Sequence, residues 1–100
     1  MSKKKRIVRA DTPEGQMAGE AILEAVKNQI RDNNPPETAL TLARLLKSGE
    51  SRENAMRLIA CALSVELFAV LKNNEAFNEG RYVYNLNRLP ELPFEESDEI

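Results

Sequence analysis

The chain of 100 residues has the length of one domain with one modest hydrophobic core. Positive and negative charges nearly balance, and the formal net charge of -2 gives no overall attraction to nucleic acid or to a membrane surface. There is no histidine, and the single cysteine, Cys61, excludes an intrachain disulfide and a thiolate metal site within one chain. These features predict a cytoplasmic protein that binds no metal or cofactor.

The two ends of the chain carry blocks of opposite charge. Residues 1–11 are basic and residues 95–100 are acidic, and such blocks cannot bury enough apolar surface to fold. We therefore predict two disordered charged tails around a helical domain over residues 12–94. The basic tail is also a candidate phosphate-binding segment, through Lys3, Lys4, Lys5, Arg6 and Arg9.

The first predicted helix runs from Pro13 to about Arg31. Thr12 suits the N-cap position, and proline suits the first helical position. Residues 32–36 end the helix, because Asp and Asn favour turns and the residue before a proline avoids the helical conformation. Apolar residues recur at helical spacing, at Ala18, Ile22, Ala25, Val26 and Ile30.

The second predicted helix begins at Pro35 or Pro36 and ends at Gly49, which is expected to adopt the left-handed conformation that stops a helix. Asn34 and Glu37 have the spacing of a loose capping box. The short connection that follows predicts an antiparallel hairpin with the next helix. The predicted apolar stripe consists of Ala39, Leu42, Ala43 and Leu46.

The third predicted helix, residues 51–72, is the centre of the fold. Over residues 55–71 every side chain is apolar except Arg57, Ser64 and Glu66. A helix that is apolar on nearly all sides must be buried on several of them. We do not expect this helix to cross a membrane, since a charge such as that of Glu66 costs roughly 2.5–3.5 kcal/mol at the bilayer centre.

Asn78 is predicted to cap a fourth, shorter helix that ends at Pro90. Phe77 and Tyr82 occupy the two positions of a hydrophobic staple. Residues 92–94 are then expected to lie as an extended strap over the core. The predicted fold is therefore all-α, a four-helix bundle-like domain around a buried central helix.

Glu66 is the unusual residue of the central helix, because it lies on an otherwise apolar side. A buried carboxylate is costly unless it is paired or hydrogen-bonded. We predict a buried polar site in which Glu66 has a structural role and is held by the fourth helix. The alternative is a reactive carboxylate in a pocket, which would make the protein a hydrolase. The candidate partners are Tyr82, Tyr84, Arg81 and Arg88.

The other side of the central helix is a candidate interface, because four short helices are not expected to cover it completely. Burial would be completed in a two-fold dimer, with the helix near Cys61 and Phe68 against its symmetry mate or against helix one of the partner. Oxidation would then cross-link the chains if Cys61 lay near the axis. The alternative is that residues 92–94 cover this side. The candidate interface residues are Arg57, Cys61, Ser64 and Phe68.

Several short segments at helix caps and core positions carry a family resemblance: Val26–Gln29 with Asn34–Glu37, Leu42–Leu45 with Gly49, Ser51–Ala55, Arg81–Tyr82 and Leu89–Pro93. Over residues 22–93 the chain resembles an uncharacterised family of small bacterial helical proteins and domains. The resemblance implies an all-helical fold and no particular activity. Family members often have histidines at the positions of Leu23, Glu53 and Arg57, so a metal or acid–base site of such relatives does not carry over to this chain.

The residues thus predict a non-enzymatic, cytoplasmic protein-interaction module that forms a homodimer or binds another protein, and the resemblance implies a bacterial one. The alternative is a nucleic-acid accessory protein that contacts phosphates through its basic tail. Nucleic-acid binding that weakens steeply with salt, and that is lost without residues 1–9, would favour this alternative.

Overall fold

The computed structural model describes the backbone of residues 13–93 and the side chains of residues 19–93. Within that range the chain forms helices and no strand: α1 Pro13–Asp32, α2 Pro36–Lys47, α3 Arg52–Asn73 and α4 Glu79–Arg88. The predicted all-α fold is confirmed. The predictions for both charged tails, for the cap at Thr12 and for Phe94 lie outside the described residues.

The connection between α1 and α2 differs from its prediction in one detail. The N-cap of α2 is Pro35, in an extended conformation and without a side-chain cap hydrogen bond. The predicted capping interaction of Asn34 with Glu37 is therefore wrong. The physical reason is that Pro35 itself precedes a proline, Pro36, and is therefore kept out of the helical conformation. The helix begins at Pro36, one residue later than a capping box at Asn34 requires.

Helix α3 begins and ends at residues that cap it. The Ser51 hydroxyl accepts a hydrogen bond from the Asn54 backbone N–H at 3.0 Å. Asn74 ends the helix in the left-handed conformation, with φ of 57°. Gly49, which precedes the helix, has φ of 109° and is the predicted left-handed stop of α2. These local signals act within a few residues and therefore appear in the sequence.

Helix α4 is also confirmed in its start. The Asn78 side-chain oxygen accepts from the Arg81 backbone N–H at 2.9 Å. The rings of Phe77 and Tyr82 meet edge to face with centroids 5.9 Å apart, as the predicted staple requires. At its other end, Arg44 of α2 donates two hydrogen bonds, of 2.8 and 2.9 Å, to carbonyl oxygens of the last turn. The acceptors are the carbonyls of Leu86 and of the C-cap residue Leu89, so Arg44 fixes the end of α4 onto α2.

The core lies around α3, which packs against each of the other three helices. Its central position is therefore confirmed. The buried residues of α3 are Ala55, Met56, Ile59, Ala62, Leu63 and Glu66. The other elements contribute Val26, Leu42, Leu45, Tyr82, Leu86 and Leu89.

The buried stripe of α2 lies about one residue away from its predicted position. Thr38 and Leu45 are fully buried, whereas Ala43 and Leu46 are exposed. The apolar pattern could not predict which side of α2 faces the core, because that side includes a threonine. A threonine is buried at little cost when its hydroxyl has a hydrogen-bond partner. Thr38 has such a partner in α1, described below.

Among the described residues, α3 is the helix that is long and apolar enough to cross a membrane by length and composition. Core helices of soluble proteins meet the same criterion, and only a third of the most apolar window of α3 is buried in this fold. The exposed remainder includes Phe68 and Leu71. This uncovered apolar surface is the starting point for the candidate site.

Candidate functional site

Glu66 is fully buried and forms a two-point ion pair with Arg81 of α4. The Arg81 Nε donates to one carboxylate oxygen at 2.7 Å, and its Nη2 donates to the other at 2.9 Å. The same Nη2 lies 3.4 Å from an oxygen of Glu75. The hydrogen bond to Glu66 is the largest cause of a raised pKa of Arg81. Because both Glu66 oxygens accept from one guanidinium, the pair holds α4 against α3.

The predicted grouping of Glu66 with Tyr82 and Tyr84 needs correction. Arg81, which the sequence offered as one of four candidates, takes the place of both tyrosines. Tyr84 is 59% exposed, and the Arg88 guanidinium lies 5.5 Å from its ring centre. Tyr82, one position beyond Arg81, points about 100° away around the helix and contacts Gln29 and Thr38 instead, while Tyr84 stays on the surface beside Arg88.

Tyr82 belongs to a second buried polar cluster. Its hydroxyl donates to the Gln29 side-chain oxygen at 2.7 Å and lies 3.3 Å from the Thr38 hydroxyl. Thr38 donates to the same Gln29 oxygen at 2.8 Å. Burial raises the pKa of Tyr82, against the smaller opposite effect of the hydrogen bond to Thr38. The cluster joins α1, α2 and α4, and sequence reasoning missed it because its members are far apart in the chain.

The outer side of α3 carries a strip of residues that are exposed at both ends and half-buried in the middle, at Cys61 and Ser64. The α3 strip comprises Arg57, Cys61, Ser64, Phe68 and Leu71. Their alternating spacing of four and three residues keeps them on one side of the helix. Phe68 is 61% exposed and Leu71 is 79% exposed. The structure thus places the four candidate interface residues together on one surface, with Leu71 at its end.

The polar members of the strip make local contacts. The Ser64 hydroxyl donates to the Cys61 carbonyl at 2.7 Å, which satisfies the hydroxyl within the helix. Arg57 pairs with Glu53 one turn earlier at 2.9 Å, and both side chains are largely exposed. An exposed pair of this kind contributes little to stability, so Arg57 is available to a partner at little cost.

Two grooves flank the α3 strip. The α1–α3 groove is about 330 Å³ in volume and mostly apolar. The α3–α4 groove is about 350 Å³, and Phe68 and Arg81 are among the residues that line it. The α1–α3 groove is lined by Gly19, Ile22, Leu23, Arg57, Ala60, Cys61 and Ser64.

The alternative cover for this surface was the segment 92–94. Leu92 and Pro93 are half-buried. Phe68 and Leu71 nevertheless keep the exposures given above, so residues 92–93 do not cover the C-terminal half of the strip. The part of the alternative that depends on Phe94 lies outside the described residues.

Two other classes of site are a metal site and a phosphate-binding site. Within residues 19–93 no group of three or more cysteine, aspartate or glutamate side chains is placed to hold a metal ion. The candidate phosphate-binding residues, Lys3, Lys4, Lys5, Arg6 and Arg9, lie outside the described part of the chain. The described surface therefore offers the α3 strip and its grooves as the candidate functional site.

Comparisons of the chain with protein-family models, with curated proteins and with solved structures find no match. The resemblance to a family of small bacterial helical proteins stays a prediction. The structure does locate the positions at which that family often has histidines. Leu23 lines the α1–α3 groove, and Glu53 and Arg57 form the exposed pair on α3.

Proposed function

We propose that this protein is a non-enzymatic helical interaction module whose contact surface is the α3 strip. The observation that carries the proposal is the exposure of Phe68 and Leu71 on the outer side of α3. They continue the line of Cys61 and Ser64, which line the apolar α1–α3 groove, and Phe68 itself lines the α3–α4 groove. Large contiguous apolar surfaces are uncommon on monomeric proteins, and such surfaces commonly mark protein-binding sites. A large aromatic anchor beside a groove is also typical of the residues that dominate binding energy.

The other exposed apolar residues differ from the strip. Leu40 is 67% exposed and Leu46 is 39% exposed on α2, Tyr84 is exposed on α4, and Phe77 lies just before α4 with its ring against Tyr82. Leu40 and Leu46 are six positions apart and so lie on different sides of α2, and isolated exposed apolar residues are normal in soluble proteins. Leu40 is therefore a matched control for Phe68, with similar exposure and a position on another helix.

The geometry of Glu66 supports the non-enzymatic part of the proposal. The carboxylate is fully buried, and both of its oxygens accept hydrogen bonds from Arg81. A catalytic carboxylate must reach the substrate's reacting atoms. The contacts of Glu66 instead favour a role in holding α4 in place.

The proposal is tested by affinity capture from the native host, with the full chain as bait and a differently tagged copy of the same chain present. The three baits are the wild type, the variant Phe68→Ser/Leu71→Ser and the control Leu40→Ser. We expect the strip variant to capture at least about tenfold less protein than the wild type, which corresponds to a loss of ~1.4 kcal/mol or more in binding free energy. Leu40→Ser should behave as the wild type.

Far-UV circular dichroism provides the folding control, since all three substituted side chains are exposed. Capture that is equal for the wild type and the strip variant would contradict the proposal. So would a loss that is equally large for Leu40→Ser, because the effect would then not belong to the strip.

A further inference from the structure

We infer that the α3 strip binds a second copy of this chain, with the two α3 helices antiparallel and Leu71 of each chain in the α1–α3 groove of the other. The inference rests on the proposed function, because it names the partner of that same surface. The spacing of the strip, its sizes, its charges and the position of the groove each support this arrangement.

The spacing of the strip suits packing against one other helix. Alternate steps of four and three residues are the spacing of the contact positions in paired helices. The strip extends over most of α3, so the contact can be several turns long. A single helix of a second chain, laid along α3, would cover it.

The sizes of the side chains favour the antiparallel orientation. Small residues, Cys61 and Ser64, occupy the N-terminal part of the strip, and large residues, Phe68 and Leu71, occupy the C-terminal part. In an antiparallel pair centred level with residue 66, Phe68 lies opposite Ser64 and Leu71 opposite Cys61. Large residues then fill the space beside small ones. A parallel pair would place the large residues against each other and leave a gap between the small ones, which loses packing contacts.

The charges select the same orientation and its register. In the pair centred at residue 66, Arg57 comes close to the level of Glu75, which lies just beyond the C-terminal end of the partner's α3, where the helix dipole is also negative. Within its own chain Glu75 has the 3.4 Å contact with Arg81 as its ion pair. Arg57 and Glu75 are both exposed in the single chain. A slide of about one turn would place Arg57 opposite Lys72, and a parallel pair would place it opposite Arg57. Both alternatives bring like charges together.

The α1–α3 groove completes the contact. Leu71 lies on the side of the strip nearer α1, in line with Ser64, one of the residues that line the groove. A two-fold axis across the helices brings the α1 sides of the two chains together, so each Leu71 reaches the partner's groove. The groove is open near Gly19, where an added Cβ would meet no heavy atom within 4 Å. The contact is made twice and closes on itself, so the assembly stops at a dimer.

The arrangement changes the expectation for Cys61. The two copies of this residue would lie ten positions apart along the paired helices, which is about 15 Å. A disulfide requires Cα atoms within about 7 Å, so the wild-type dimer should not cross-link through Cys61. A cysteine at position 71, in contrast, would lie opposite the Cys61 of the other chain.

Cross-linking tests the orientation. The variant Leu71→Cys, mildly oxidised and run on a non-reducing gel, should give a covalent dimer. The wild type and Cys61→Ser/Leu71→Cys should not, because neither has cysteines opposite each other in this arrangement. Efficient cross-linking of the wild type through Cys61 would overturn the antiparallel pair. A dimer seen by sedimentation, with no cross-link in Leu71→Cys, would overturn it too.

Mixing two variants tests the groove. Leu71→Ser removes the side chain that enters the groove, and Gly19→Leu fills the groove without lowering helix propensity. Each variant alone should dimerise at least about tenfold more weakly than the wild type by sedimentation. A mixture of both should associate more tightly than either alone, because Leu71 of one chain meets the intact groove of the other.

The outcomes separate this inference from the proposed function. A wild type that stays monomeric at high micromolar concentration overturns the second copy as partner, while strip-dependent capture of a host protein would keep the proposed function. Dimers that depend on Leu71 but gain nothing on mixing overturn the groove contact alone. Dimers unaffected by Leu71→Ser overturn both the groove contact and the placement of the second copy on the α3 strip.

Discussion

The two sides of α3 are similar in composition and opposite in environment. The inner side, with Ile59, Leu63 and Glu66, is at most 2% exposed, whereas Leu71 on the outer side is 79% exposed. Both sides contain apolar residues and one charged residue. The difference is that three helices pack around the inner side, and none of the described elements covers the outer side at Phe68 and Leu71. Hydropathy therefore reports how much surface a helix needs covered, and the arrangement of the neighbours decides which part is covered.

The charged residues of α3 show the same contrast. Glu66 on the inner side is held at both oxygens by Arg81 from another helix. Arg57 on the outer side has an exposed partner one turn away. A buried charge needs a partner of good geometry, whereas an exposed one is solvated by water. The inner pair thus contributes to the fold, and the outer charge can contribute to partner choice.

The largest expected effect is the loss of an apolar side chain from the inner side. Leu63→Ala should destabilise the fold by about 2–5 kcal/mol, because it leaves a cavity in the core. Leu71→Ala, the same change on the outer side, should cost less than ~0.5 kcal/mol in the single chain. Urea unfolding at low protein concentration measures both. Equal effects would show that the two sides are not distinct.

The next effect concerns the two charges. Arg81→Met should destabilise the fold more than Arg57→Met, because it leaves the buried Glu66 carboxylate without its partner. The double variant Glu66→Met/Arg81→Met should be more stable than Arg81→Met alone, since two apolar side chains replace the pair. Urea midpoints of the three variants decide the order. In Arg81→Met the buried Glu66 carboxylate is an uncompensated charge. A double variant less stable than Arg81→Met would contradict this description.

A smaller effect is expected at the two tyrosines of α4, one inside and one outside. Tyr82→Phe removes the hydrogen bond to Gln29 and should cost about 0.5–1.5 kcal/mol. Tyr84→Phe changes an exposed ring and should stay within ~0.5 kcal/mol of the wild type. Thermal unfolding followed by circular dichroism compares them. A loss at Tyr84 that matches the loss at Tyr82 would be inconsistent with their different environments.

Ionisation of Tyr82 changes the stability of the fold only in alkaline solution. Burial raises its pKa, so the folded state retains the phenol proton more strongly than the unfolded state. This stabilisation is fully present below the unfolded pKa of about 10, and it is lost as pH rises through the higher folded value. The chain has two tyrosines, so Tyr84→Phe leaves only Tyr82 to titrate. Tyrosinate absorbance should then appear above pH 10, and an earlier midpoint in the folded chain would refute the assignment.

Local chemistry made the helix boundaries of this protein predictable from its sequence. Ser51, Asn78 and Gly49 act within three or four residues of their own positions, so their side chains or conformations specify where helices start and stop. The packing of α3 against the other helices was equally predictable, since so apolar a helix needs neighbours, but burial on one side only was not. The candidate interface residues could be named because helical spacing alone puts them on one side.

The contacts between helices were decided only by the tertiary structure. Thr38 could not be assigned to the core from its own neighbourhood, because its burial depends on Gln29 in α1 and Tyr82 in α4. The choice of Arg81 for Glu66, among several polar residues of α4, depends on how that helix is rotated, and Arg44 fixes its end from α2. Burial of polar groups is a property of pairs that the fold brings together, whereas capping is a property of a few consecutive residues.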